Sequence, residues 1–230
     1  MTDPYKSCTL CPRMCHADRT VTTGFCGCND KITAARAALH PWEEPCISGN
    51  RGSGTIFFSG CTLKCVFCQN YTLSHENFGI EISAERLAEI FLELQEKGAH
   101  NISLVTATQY LPSIRDALNI VRPQLSIPVV YNSGGYERIE TLREYADCID
   151  IYLPDLKYYD SRLAKKYSAA ENYFPTASKA ITEMIRLSGG LQWDENDPNI
   201  LKKGVVIRHL VLPGAKEDSI ALLHWIKENL

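Results

Sequence analysis

The stretch SGCTLKCVFCQN, residues 59–70, sets cysteines at positions 61, 65 and 68. A disulfide consumes two thiols, and a closed zinc or iron–sulfur site consumes four. Three thiolates spaced C-x3-C-x2-C can each take one iron of a [4Fe–4S] cube, which leaves the fourth iron without a protein ligand and open to substrate. The competing readings are a zinc site on Cys61, Cys65 and Cys68 with His75 as fourth ligand, or three reduced core thiols with no metal.

A second group stands near the N-terminus, where CTLCPRMCHADRTVTTGFCGC holds Cys8, Cys11, Cys15 and Cys26, with Cys28 to spare. Close cysteines, then a return cysteine flanked by Gly24 and Gly27, suit a thiolate knuckle: tight turns present sulfur, and metal replaces a core too small to fold by itself. Zinc and an auxiliary iron–sulfur cluster both fit four thiolates. A zinc knuckle that binds nucleic acid or protein is the rival function. Against it, the segment has only a slight cationic excess and one aromatic, Phe25, among its cysteines, so base stacking has little to work with. Cys148 reads as a small buried apolar residue, and Cys46 in EPCISG as a buried thiol near the first strand.

The chain of 230 residues, 45% hydrophobic, is long enough for one well-buried domain with a small appendage. Its net charge is −3 with Lys and Arg dispersed, which points to neither nucleic acid nor an acidic membrane surface. MTDPYKSCTL lacks the charged-then-apolar pattern of a signal peptide, and no apolar run approaches a membrane span. A cytoplasmic location is expected. The reducing cytosol disfavours a disulfide framework for ten cysteines, and their spacing favours metal.

These residues need a scaffold. From residue 55 onward, apolar runs at 55–59, 101–106, 127–131, 149–153 and 205–212 alternate with helical patterns. The strongest helix lies between the first two runs: Leu87, Ile90, Phe91 and Leu94 repeat at helical spacing, Ser83 caps the start and Gly98 ends it. Shorter helical patterns follow near 110–121, 137–146, 159–170, 177–187 and 217–229. Strand and helix in alternation mean an α/β fold with parallel strands and right-handed crossovers. The unusual residues follow the strands: the cysteine loop, ATQY, NSGGY, PDLKYY and PG. Loops after parallel barrel strands share one face, and no Gly-rich phosphate fingerprint favours a doubly wound sheet, so a partial TIM-like (βα) barrel over 55–230 is predicted. Residues 1–54 are predicted to be a small Cys-rich module and a connecting segment.

The three-cysteine loop at the end of the first strand, with Phe67 before its last cysteine, resembles the signature of the radical S-adenosylmethionine superfamily. Within that superfamily, EPCISG, IDIYLPDLKY and VVIRHLVLPG are similar to segments of glycyl-radical-enzyme activases of the pyruvate formate-lyase activating-enzyme-like type. The resemblance implies a [4Fe–4S] cluster, S-adenosylmethionine, and a flavodoxin or ferredoxin as reductant. It implies reductive cleavage to methionine and a 5′-deoxyadenosyl radical that takes hydrogen from a substrate, for an activase a glycine of a partner protein.

It also suggests roles for particular side chains. Phe67, Asn132 and Ser133 would line the cofactor; Asp155 with Ser133 would bind a monovalent cation; Lys157 and Arg208 would meet the cofactor carboxylate. Arg208 and the adjacent His209 face opposite ways in a strand, so one of them enters the barrel. VTATQY stands where many relatives carry a Gly-Gly-Glu element for the methionine amino group, which would leave that work to the Thr106 or Thr108 hydroxyls. Superfamily cores have six βα units, and the sequence supplies five, so the last unit is expected to be missing and a parallel edge uncovered. Radical chemistry on a small molecule or RNA, and an iron–sulfur or zinc protein that binds without turnover, are the alternative functions.

Overall fold

The computed structural model describes residues 3–230. Apolar periodicity produces the expected strongest helix: α3 (Ala84–Glu96, after α1 and α2 below) buries Leu87, Ile90, Phe91 and Leu94, and Ser83 accepts the Arg86 amide as its cap. Strands β2 (Ser53–Phe58), β4 (Ile102–Val105), β5 (Val129–Ser133), β6 (Ile151–Pro154) and β8 (Leu201–Val205) pair in parallel in that order. Helices α4 (Leu111–Val121), α5 (Ile139–Glu144), α6 (Ser161–Ser168) and α7 (Tyr173–Ser188) connect them, and α8 (Lys216–Asn229) follows. The fold is α/β with a mostly parallel sheet, consistent with the partial barrel. Among the described residues no helix is long and apolar enough to cross a membrane.

Three elements depart from the expectation. The boundary placed at residue 54 falls inside the sheet, because β1 (Ile32–His40) pairs antiparallel with β2 and, on its other side, with β3 (Ile80–Ile82). The fifth parallel strand is Leu201–Val205 rather than 205–212. Beyond it the chain touches β6 through an isolated Asp155–Arg208 bridge, and Leu210 and Val211 are exposed. The outer edge of β8, expected to be uncovered, is paired antiparallel by β7 (Gln192–Trp193), so its backbone groups have a partner within the chain.

The sheet separates two apolar clusters. The larger contains the helices and Tyr131 and Tyr152; the smaller consists of Ile47, Val130, Ile151, Leu153 and Leu201 on the inner face. Ile47 belongs to α1 (Pro45–Ser48), whose carbonyl at Ile47 accepts from Asn101 Nδ2 at 2.7 Å. The chain between β1 and β2 therefore folds back against the inner face and fixes the residues just before α1.

Residues 3–30 contain no helix or strand. Arginines clamp them to the loops and helix ends after the strands: Arg13 donates to the carbonyls of Thr62 (2.9 Å) and Ala169 (2.6 Å), and Arg138 donates to that of Thr9 (2.5 Å).

Candidate functional site

Cys61, Cys65 and Cys68 lie in the loop between β2 and α2 (Tyr71–His75). The loop is clasped to the end of α6, with the Val66 amide on the Tyr167 carbonyl at 2.9 Å. Each sulfur has a polar neighbour: the Leu63 amide donates to Cys61 (3.4 Å), Ser74 Oγ to Cys68 (3.2 Å), and Ser168 Oγ lies 2.8 Å from Cys65. Burial pushes the Cys61 thiol up to about 12 and raises that of Cys65, while Lys157 opposes both. Burial likewise works against the Lys157 charge, but Asp155 and the Cys65 and Cys61 thiols outweigh it and raise its pKa. Three thiols with hydrogen-bond donors and a cation beside them are a donor set suited to thiolate charge, and hence to an iron–sulfur cluster. His75 stacks on Tyr71 and meets Ser74 Oγ at 2.8 Å through Nδ1. Among the described residues, no three His, Cys, Asp or Glu side chains stand at the spacing of ligands to one ion.

From Lys157 a continuous polar line crosses the inner face. Lys157 Nζ donates to Asp155 Oδ2 at 2.5 Å, and Arg208 Nε donates to Asp155 Oδ1 at 3.0 Å. The other guanidinium nitrogens of Arg208 reach Glu43 Oε1 (3.0 Å) and Asn132 Oδ1 (2.6 Å), and Asn132 Nδ2 donates to Glu43 Oε2 at 2.9 Å. Glu44 adds a third carboxylate 3.8 Å from Arg208 Nε. Burial pushes the Glu43 carboxyl up to about 7; Arg208 opposes this and Glu44 reinforces it. The line lies at the carboxyl ends of β5 and β6, on the loop face of the parallel strands.

The structure thus brings Asn132, Asp155, Lys157 and Arg208 together. Phe67 stands apart from that line, edge-on to Tyr158 at 6.4 Å. Two expected members are turned elsewhere. Thr108 Oγ1, on the short turn after β4, is spent on Tyr131 (2.8 Å) and Glu137 (3.0 Å) on the helix-covered face. Ser133, one residue from Asn132, necessarily faces the other way, and its Oγ accepts from the Gly135 amide at 3.2 Å; a cation between its side chain and Asp155 is not supported. Thr106 sits at the strand end with φ of +58°, its amide on the Asn132 carbonyl at 2.9 Å. His209 turns outward to the Leu156 carbonyl and Ser219.

Glu43, Glu44 and Ser168 were not singled out in the sequence. The one signal for the glutamates was EPCISG, which begins at Glu44 and directly follows Glu43; nothing marked Ser168. The N-terminal Cys8, Cys11, Cys15 and Cys26 line one cavity with Arg19, Phe25 and Gln109 among its other walls. Burial pushes Cys11 up to about 12, whereas the Cys28 thiol, and then Arg19, hold Cys26 below the ordinary range. The Cys61 amide donates to the Cys26 carbonyl at 3.3 Å, so the two cysteine groups adjoin.

The sequence profile of the radical SAM superfamily matches residues 55–226. An uncharacterized protein of Methanocaldococcus jannaschii is 30% identical over 218 residues, which cover 91% of this chain and 58% of that protein. The chain therefore spans somewhat over half the length of the curated relative it matches.

Proposed function

This chain belongs to the radical SAM superfamily, and from that premise we propose that it seats S-adenosylmethionine between the three-cysteine loop and the Glu43–Arg208 line and uses it to activate a partner protein. The family implies a [4Fe–4S] cluster, S-adenosylmethionine, a reductant and an enzymatic role. The observation that carries the seating is the unbroken line from Lys157, whose charge acts on Cys61 and Cys65, through Asp155 and Arg208 to Glu43.

The three thiols fit the cluster by number and by their surroundings. When bound on Cys61, Cys65 and Cys68, it supplies the electron that divides S-adenosylmethionine into methionine and a hydrogen-abstracting 5′-deoxyadenosyl radical. The chain's own residues bind and orient. Lys157 offers positive charge beside Cys61 and Cys65, and Asp155 holds that ammonium in place. Arg208 is the guanidinium suited to a carboxylate, which it takes by exchanging one of its present carboxylate contacts. Glu43 and Glu44 provide the acceptors for an amino group that the VTATQY segment lacks, with Thr106 at the strand end beside Asn132. Two cations and three carboxylates leave this line with an acidic excess, which complements a ligand carrying an ammonium, a sulfonium and one carboxylate.

The finer reading, hydrogen abstraction from a glycine of a partner protein, rests on the likeness of PDLK and of the segment around Arg208 to activases. Anaerobic reconstitution with iron and sulfide, reduction, and addition of S-adenosylmethionine should yield 5′-deoxyadenosine, and Cys68→Ala should abolish it. A partner labelled with deuterium at glycine should pass the label into 5′-deoxyadenosine. A fully iron-loaded protein that yields none would overturn the catalytic reading in favour of binding without turnover.

A further inference from the structure

We infer that Cys8, Cys11, Cys15 and Cys26 hold a second, thiolate-bound metal centre and that Arg19 is its buried counter-charge. The four side chains come from two turns of a segment without helix or strand and line a single cavity, with Arg19 on its wall. Arg19 is 0% exposed. Its Nε donates to the Cys28 carbonyl at 3.1 Å, its Nη1 to the Gln109 carbonyl at 2.7 Å, and its Nη2 to the Asn29 carbonyl. Nη1 also points at Cys8 Sγ, 3.7 Å away, and the guanidinium lies 4.8 Å from the centre of the Tyr5 ring.

These contacts satisfy the donors without cancelling the charge, because every oxygen acceptor is a neutral carbonyl. Among the described residues no carboxylate pairs with Arg19. A fully buried, unpaired guanidinium is among the most costly groups a fold can contain, so an anion belongs beside it. The groups on this wall that can become anionic are the thiols, and a bound metal deprotonates its thiols outright. Four thiolates around a dipositive centre carry two negative charges. Arg19 offsets one, and Arg13, 4.1 Å over the ring of Phe25 on the same cavity, stands near enough to offset part of the other.

The tetrathiolate chemistry is common to zinc and to a [4Fe–4S] cluster. Because no three ligands stand at single-ion spacing, the sulfurs either close on one ion as it binds or take one iron each. The centre also has a mechanical consequence. Thr62 lines this cavity while its neighbour Cys61 belongs to the other cysteine group, so metal here fixes one side of the loop that carries Cys61. The inference does not depend on the proposed catalytic role.

The test uses the full chain with Cys61→Ala, Cys65→Ala and Cys68→Ala together, which leaves the N-terminal group as the remaining thiolate site. Elemental analysis, acid-labile sulfide and a thiol count separate the two occupants: zinc without sulfide, or iron with sulfide. Arg19→Met in this background should weaken metal retention against a chelator about 10- to 100-fold, the usual effect of losing a partner of the ligands, and Arg19→Lys should recover part of it. A metal-free protein, with these thiols either freely titratable or paired as disulfides, overturns the site. Unchanged retention in Arg19→Met overturns the counter-charge. Should the triple variant be insoluble, Cys15→Ser in the otherwise unaltered chain decides, since Cys15 is exposed. It should release the second metal to chelator while the iron on the three-cysteine loop stays, and equal retention of both would overturn the site.

Discussion

Glu43 precedes Arg208 by 165 positions, yet its Oε1 accepts a hydrogen bond from Arg208 Nη1 at 3.0 Å, and the same guanidinium holds Asp155 and Asn132. One side chain thus ties the segment before α1 to the ends of β5 and β6. Removing its charge leaves Glu43, Glu44 and Asp155 facing one another with Lys157 as the remaining cation of the line. Full burial would make that loss worth about 3–5 kcal/mol and full exposure less than about 1; Arg208 is a quarter exposed, so about 2 kcal/mol is expected for Arg208→Met. Urea unfolding should show it as a lower midpoint with unchanged slope. Cofactor binding should also fail at pH 7.5.

The pH dependence follows from two raised carboxyls. Glu137 is buried, its Oε2 has no hydrogen-bond partner, and burial pushes it up to about 7 although Thr108, Tyr131 and Ser133 all favour its charge. Glu43 is likewise raised to about 7. A carboxyl raised in the fold keeps its proton there after the unfolded chain has lost it. The stability these two groups contribute is therefore greatest below about pH 4.5, falls as pH rises toward 7, and stays lowered above, by up to about 3 kcal/mol for Glu137. Glu137→Gln should flatten this slope between pH 5 and 7. An unaltered slope in that variant would assign it to other groups.

Cys65 lies 2.8 Å from Ser168 Oγ, which in turn meets the Tyr158 hydroxyl at 2.7 Å. Against a cluster-bound thiolate the serine must donate, and hydrogen bonds to sulfur stabilise the more negative, reduced state. Ser168→Ala should therefore shift the cluster midpoint to a more negative potential in an EPR-monitored redox titration. The apo fold should lose about 1–3 kcal/mol, because alanine leaves the buried Tyr158 hydroxyl without its partner. A shift to more positive potential would mean that the Ser168 proton points to the Tyr158 oxygen and its lone pairs face the sulfur.

How much of this was legible depended on whether the signal was local. The cysteine loop, Asn132 and Asp155 stand out because they follow apolar runs whose loops share a face, and Arg208 because its segment resembles that of the activases. The alternation argument that separated Arg208 from His209 applies equally to Asn132 and Ser133, and would have removed Ser133. Strand β1, ITAARAALH, is alanine-rich without clean alternation, and its pairing with β2 and β3 makes it a strand. Strand β8, LKKGV, holds two lysines and a glycine, whereas the more apolar run after it lies largely outside the sheet. Glu43 reaches Arg208 only because α1 packs Ile47 against Val130 and Leu153, a contact with no local trace.

Thr106 tests whether a strained residue at the strand end is there for its hydroxyl. Its φ of +58° is left-handed, a region in which a β-branched side chain is disfavoured. The conformation is enforced on both sides, since its amide donates to the Asn132 carbonyl and its carbonyl accepts from Gln109 Nε2 at 2.8 Å. Glycine removes the clash and alanine retains it, so Thr106→Gly should be more stable than Thr106→Ala by about 1 kcal/mol. If the hydroxyl serves the cofactor, both variants lose one hydrogen bond and the KM for S-adenosylmethionine rises up to about tenfold in each. We expect that rise, because strain held at a strand end beside Asn132 persists where function requires the side chain. Equal KM in the wild type and Thr106→Gly would instead confine Thr106 to shaping the backbone.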